Sequence, residues 1–268
     1  MSGFVDVHPH VISRDTARYP RAPLGGKQSD WSQERPVSAE EMLRAQEEAG
    51  IERSVLVQAS TCYGHDNSYL ADTVAAHPKR FSGVFSVDVL APGAPDEIRR
   101  WKKRGLAGLR VFVAGHTTAQ DVRLDDPRSF PAWECAQAEA LPVCVQVRAA
   151  GLPQLEAMLK RFPKTRVALD HMARPAHGDL SRLCELAKHE NLVLKLTTHN
   201  VHDLPAEFLE RVVMFFGARR VAWGSNYPAA KGKLAELVAQ ARKALARLTE
   251  EQRDWVFSRT ATSLYPAK

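Results

Sequence analysis

The run Asp6-Val7-His8-Pro9-His10 places two imidazoles one residue apart. Along an extended strand alternate side chains share a face, so His8 and His10 point the same way. Two such rings can chelate a metal ion or hold one substrate oxygen. A third imidazole, His171, follows the apolar run Val167-Ala168-Leu169. Guanidinium groups close two further apolar runs, Arg110 after Gly108-Leu109 and Arg148 after Gln146-Val147, and Arg174 follows His171 closely. Their forked donors match a carboxylate, which points to a mono- or dicarboxylate ligand or to rim pairs with Asp88, Asp125 or Asp170. Lys195 lies between Leu194 and Leu196. A lysine inside an apolar strand is costly to bury alone, so it either pairs with Asp170 or Asp88 or touches substrate. His65, His116, His199 and His202 fall in loops on the same face, with His199 four residues beyond Lys195.

These residues need elements to hold them. Eight short β-rich runs alternate with helical patterns: Phe4–Val11, Arg53–Ala59, Phe81–Asp88, Gly108–Ala114, Pro142–Arg148, Arg166–Met172, Leu192–Thr198 and Arg220–Asn226. Most are continuous apolar runs, as parallel strands covered on both faces require. Between them, Ser38 with Glu41 reads as a capping box and Gly50 as a helix stop. Thr249 with Gln252 opens a last helix. Pro205 opens another, which ends at Gly217, and Leu155, Met158, Leu159 and Phe162 share one helical face. This pattern predicts an α/β fold, a (β/α)8 TIM barrel in one domain spanning residues 1–268, in which strand ends at the C-terminal mouth carry the site. An open doubly wound sheet is the alternative, though no GxGxxG follows the first run. The long first connection, Ile12–Val37, sits where a lid over such a site would.

Composition narrows the function. The 268 residues carry 37 Lys+Arg against 31 Asp+Glu, a net charge of +6, and 44% are hydrophobic. That is the profile of a globular chain, and no apolar run nears the ~20 residues that span a bilayer. The basic residues are scattered, and the cluster Arg99 to Arg104 reads as a solvated helix face, so neither nucleic acid nor membrane is expected as a partner. The N-terminus lacks the pattern of a secretory signal, which predicts a cytoplasmic protein. Cys62, Cys135, Cys144 and Cys184 form no CxxC pair, and Cys144 reads as buried and inert. A homo-oligomer is compatible with all of this.

Taken together, His-Pro-His at the first strand, Leu-Asp-His-Met-Ala-Arg-Pro at 169–175, Leu-Lys-Leu-Thr at 194–197 and Trp-Gly-Ser-Asn-Tyr-Pro at 223–228 resemble the amidohydrolase superfamily, lactonase-type branch. The tail Arg259 to Tyr265 sits where that family has its terminal helix. The resemblance implies a distorted TIM barrel that hydrolyses a cyclic ester or amide. It places His8, His10 and His171 at the reaction centre. They would hold one divalent metal, zinc or manganese, in some members, and polarise the substrate carbonyl directly in metal-free lactonases. Arg110, Gln146, Arg148, Lys195 and Tyr227 are the expected substrate contacts around them.

One departure matters. The family's strand-eight aspartate, which activates water, falls on Asn226. An amide has no basic lone pair at neutral pH. Three readings stay open: an Asp→Asn substitution that traps substrate, another base with His171 or Asp88 nearest, or binding without hydrolysis or with other chemistry. The expected function is opening of a lactone ring on a small carboxylated substrate. A metal-dependent decarboxylase, hydratase or amide hydrolase is the enzyme alternative, and a silent binding barrel the other. Strand four offers Arg110 rather than a bridging lysine, which argues against a binuclear site.

Overall fold

The computed structural model describes residues 3–113, 123–175 and 181–267. Eight strands pair in sequence order, all parallel: β1 (Phe4–Asp6), β2 (Ile51–Val57), β3 (Phe81–Ser86), β4 (Gly108–Phe112), β5 (Val143–Gln146), β6 (Val167–Leu169), β7 (Leu192–Thr197) and β8 (Val221–Gly224). The Val7 N–H donates to the Trp223 carbonyl at 3.2 Å, which brings the first strand back to the last. This is a (β/α)8 barrel, and the return contact rules out the open-sheet alternative. No helix among the described residues is long and apolar enough to cross a membrane.

The core has two parts. One packs the outer faces of the strands against helices such as Ala39–Ala49, Ala206–Phe216 and Leu234–Ala244. The other joins Val5, Val57, Val84, Cys144, Ala168, Val193 and Ala222. These come from seven strands and can meet only inside the barrel. Tyr265, from the chain's end, joins the same cluster. Its carbonyl accepts from the buried Arg53 guanidinium.

Helix ends follow their sequence signals. Ser38 and Glu41 form the reciprocal capping box, and Gly50 stops that helix at φ 67°, a left-handed value that suits glycine. Thr249 and Gln252 cap the helix Glu250–Asp254. Arg99 and Arg100 pair with Asp96 and Glu97 on an exposed helix face, as expected of a solvated cluster. The first connection is ordered, with a short 3₁₀ turn at Leu24–Gly26 and a helix at Asp30–Glu34.

The expected strands are all present, but their C-terminal ends come earlier. β1 stops at Asp6 rather than Val11, β5 at Gln146 rather than Arg148, β6 at Leu169 rather than Met172, and β8 at Gly224 rather than Asn226. Beyond these ends His8, His10, Arg148, His171 and Asn226 line the mouth, while Val11, Val147 and Met172 join the core. A parallel ladder uses up backbone donors that a mouth must free or aim at side chains.

Gly224 shows how tight this mouth is. A Cβ there would lie 2.6 Å from the His8 Cβ and 3.0 Å from its backbone N. Gly224→Ala should therefore lower unfolding free energy by about 1–3 kcal/mol, the usual effect of overpacking, as read by urea denaturation. Unchanged stability would mean that His8 can yield.

Candidate active site

His8 and His10 reach the mouth without a strand beneath them. The chain bends at Val7. The buried Asp6 Oδ1 accepts from the His8 N–H at 3.0 Å and the Ser225 N–H at 2.8 Å. One carboxylate thus ties the ends of the first and last strands. The His10 N–H donates to the Tyr227 carbonyl at 2.8 Å, and its Nδ1 meets the Val57 carbonyl at 2.7 Å. Trp31, from the long first connection, packs on the His10 ring at 5.2 Å between centroids.

His171 sits in a left-handed turn. His171, Met172, Ala173 and Arg174 have φ of 54°, 51°, 58° and 50°. Non-glycine residues adopt this region at a cost of roughly 1–2 kcal/mol each. The turn is held from β7 and beyond. Asn200 Nδ2 donates to the His171 carbonyl at 2.9 Å, and His171 Nδ1 meets the Thr197 hydroxyl at 2.8 Å. That hydroxyl donates to Asn200 Oδ1 at 3.2 Å, so it accepts from His171 Nδ1–H.

Below the rings lies a buried charge cluster. Asp170 Oδ1 is 3.2 Å from Lys195 Nζ and 3.3 Å from His8 Nδ1, and Oδ2 is 3.5 Å from Arg110 Nη2. Cys144 donates its thiol proton to Asp170 at 2.9 Å and accepts from Lys195 at 2.8 Å. Burial pushes the Asp170 carboxyl up, but Lys195, His8 and Arg110 outweigh it and hold it well below the usual carboxylate range. Burial and then Asp170 push the Cys144 thiol up to about 12, so it stays protonated.

The imidazoles line one cavity of about 240 Å³. His8 lies 5.1 Å from His10 and 4.7 Å from His171 between centroids, and His171 lies 5.4 Å from His199. Asn226 faces them, with Nδ2 donating to His199 Nε2 at 2.9 Å. Arg110, Gln146, Arg148 and Arg174 complete the polar lining. Arg110 is held by the Gln58 carbonyl at 2.7 Å and by Gln146 Oε1 at 2.6 Å.

Two expected contacts lie elsewhere. Lys195 is fully buried under the cavity and pairs with Asp170, the ion-pair reading of that residue. Tyr227 does not line the cavity; its backbone fixes His10 instead. Asp88 is exposed and off the cavity, so it neither pairs with Lys195 nor stands near position 226. His65 bonds Ser86, His202 bonds Gln240, and His116 lies outside the described residues. The sequence reading missed the support from Thr197 and Asn200. Their Thr-x-x-Asn spacing is a capping box, and the structure shows one. A roomier cleft of about 370 Å³ opens beside Phe4, Phe257 and Arg242 at the N-terminal end of β1, away from these groups.

All four rings are neutral at pH 7. Burial holds His8 down to about 4, with Lys195 and Arg110 adding to it against Asp170. Burial and then His8 lower His10 and His171 well below the ordinary value. The neutral tautomers follow from the bonds. His10 gives its Nδ1 proton to Val57 and His171 gives its own to Thr197, which leaves an Nε2 lone pair on each. His8 Nδ1 stands 3.3 Å from Asp170 Oδ1, an acceptor that calls for the proton on Nδ1, and 3.5 Å from Lys195 Nζ, a donor that calls for it on Nε2. That Nε2 is buried without a protein partner.

His10 and His171 would offer Nε2 lone pairs to a divalent metal in the cavity. Among the described residues no three His, Cys, Asp or Glu form a metal-ligating group. Asp170 is already matched by Lys195 and faced by Arg110, two cations beside any third positive charge.

A profile of the family described as Amidohydrolase matches residues 5–267. The chain belongs to this amidohydrolase family. Within it, an L-fucono-1,5-lactonase of Burkholderia ambifaria is 30% identical over 244 residues, 85% of this chain and 81% of the relative. A Pseudomonas putida protein assigned as a 2-pyrone-4,6-dicarboxylic acid hydrolase superposes with a TM-score of 0.80 at 20% identity, covering 98% of this chain and 97% of its own. A Burkholderia multivorans amidohydrolase with bound zinc also superposes at 0.80, with 21% identity and 100% of each chain covered. The amidohydrolase described here is thus a hydrolase of the lactonase-type branch.

The buried rings make this amidohydrolase acid-sensitive. Unfolded histidines titrate near 6.5, above their folded values. Below that pH the unfolded chain binds protons that the folded chain refuses, so stability falls from about pH 6.5 toward pH 4. His8 alone accounts for about 3 kcal/mol over that window. Urea unfolding at a series of pH values should show the slope, and His8→Gln should flatten it. A stability constant down to pH 4 would contradict the burial argument.

Proposed function

We propose that this hydrolase opens the ring of a lactone that carries a carboxylate group. One observation supports the carboxylate: Arg148 and Arg174 line the cavity with no hydrogen bond or ion pair to any described side chain. Arg174 Nε is buried and unpartnered. Burial and then the Arg148 charge push Arg174 below its ordinary value, against Asp203. Two guanidiniums that repel each other are relieved by an anion between them. Arg110 was expected to share that task. With both Nη atoms engaged by Gln58, Gln146 and Asp170, it supplies fixed charge instead.

The reaction then follows from placement. The anionic substituent docks at Arg148 and Arg174, which brings the ring carbonyl toward the imidazoles. In its Nε2–H tautomer, His8 donates to the carbonyl oxygen and, more strongly, to the oxyanion that forms when water attacks. The Arg110 and Lys195 charges lower the energy of that oxyanion further. Asn226 orients the attacking water. The tetrahedral intermediate collapses by breaking the ring C–O bond, and the product is a hydroxy acid. Trp31, packed on His10, covers the reacting centre.

The experiment is a panel of lactones with and without a carboxylate, with the ring-opened acid followed by NMR. The carboxylated members should react. Release of carbon dioxide without ring opening would favour a decarboxylase instead. Arg148→Ala and Arg174→Ala should each raise KM for the carboxylated substrate about 10- to 100-fold, the worth of a lost charged hydrogen bond. A neutral lactone should show little change. Equal effects on both substrates would remove the anion argument.

A further inference from the structure

Asn226 leaves the chain without a carboxylate at the position that faces the imidazoles, yet the residue it touches is a lone-pair carrier. Asn226 Nδ2 donates to His199 Nε2 at 2.9 Å, which fixes the His199 proton on Nδ1 and the lone pair on Nε2. Both side chains line the cavity. We propose that His199 is the general base of this chain and takes a proton from a water held jointly with Asn226; this rests on the lactonase reading above.

The geometry carries the step. A water entering between the two side chains replaces their direct 2.9 Å bond. That water accepts from Asn226 Nδ2–H and donates one hydrogen to His199 Nε2. Its remaining lone pair faces the carbonyl carbon. As the water oxygen bonds to that carbon, its proton passes to His199 Nε2 and the carbonyl π pair moves onto the oxygen beside His8. When the ring C–O bond breaks, the leaving alkoxide takes the proton back from His199. One water is consumed, and the imidazole ends as it began.

The other two lone pairs are worse placed. His10 and His171 lie deep, and each would become an imidazolium beside His8, Arg110 and Lys195. His199 is only part-buried. Its ring is faced by Arg174, Arg148 and His202, which oppose a positive charge, and by Asp203, which favours one. Once the substrate's anion sits on Arg148 and Arg174, it offsets the cations that oppose protonation. The substrate thereby strengthens its own base.

The test compares the unaltered chain, His199→Gln, Asn226→Asp and the double variant on the same carboxylated lactone. His199→Gln should lower kcat by ~10²–10⁴, the usual contribution of a general base, with KM within a few-fold and product-acid binding retained. Asn226→Asp in the His199→Gln background should restore at least about tenfold of that loss, because a carboxylate then takes the proton. A His199→Gln chain with undiminished kcat overturns the proposal. So does a loss that Asn226→Asp cannot relieve while the product acid still binds, since His199 would then only position its neighbours. An unaltered chain that is inert while Asn226→Asp is active also overturns it. If both chains leave every lactone intact, it is the lactonase reading itself that fails.

Discussion

The Asp170 carboxylate is the contact around which the mouth is organised. It is fully buried, and a buried charge is tolerated only when matched. Its partners come from four other places in the barrel: Lys195 on β7, Arg110 on β4, Cys144 on β5 and His8 after β1. At an effective dielectric near 20, each close opposite charge contributes about 4 kcal/mol of attraction, against several kcal/mol to desolvate each ion. The net gain in stability is therefore modest. What the cluster secures is direction. Lys195 and Asp170 both meet His8 Nδ1, so the cluster fixes how that ring stands in the cavity.

The same carboxylate explains the strained turn. Asp170 must point down into the barrel while the next residue points up into the cavity. A continued strand would alternate faces but carry the chain away from the mouth. The left-handed run from His171 to Arg174 instead coils the chain on the spot, so that His171 and Arg174 both line the cavity. Strain of this kind persists only where the surroundings hold it. Here Thr197 and Asn200 do so, through the His171 ring and the His171 carbonyl.

The barrel was legible because its signals are local and periodic. All eight strands announced themselves as apolar runs, and Ser38, Gly50, Pro205 and Thr249 marked helix ends where the structure has them. The paired histidines were legible too, though for a partly mistaken reason. They share the cavity because Asp6 captures two backbone donors and the chain bends at Val7, not because a strand runs through them. Strand ends were misjudged because apolarity continues past the last ladder bond, and only tertiary partners say where the ladder stops. The Lys195–Asp170 pair could be guessed from the cost of burial. That Tyr227 serves through its carbonyl, and that Asn226 touches His199, depends on how loops from different strands converge, which no local pattern encodes.

An asparagine among these groups changes the electrostatics of the whole cavity. Arg110, Lys195, Arg148 and Arg174 stand around it, with Asp170 against the first two and Asp203 acting on Arg174. A carboxylate at position 226 would add a further negative charge. Without it the cavity holds a stronger positive field, which favours an oxyanion and binds an acid more tightly. The same field disfavours any imidazolium, so each histidine is a weaker base here than it would be beside a carboxylate. Field strength and base strength therefore pull against each other in this site. They are reconciled only when an anionic substrate enters, since it reduces the field near Arg148 and Arg174 while leaving Arg110 and Lys195 unchanged beneath the reacting carbonyl. A neutral lactone would meet the full field and the weakest base, and so the charge balance of the cavity selects for substrates that bring their own negative charge.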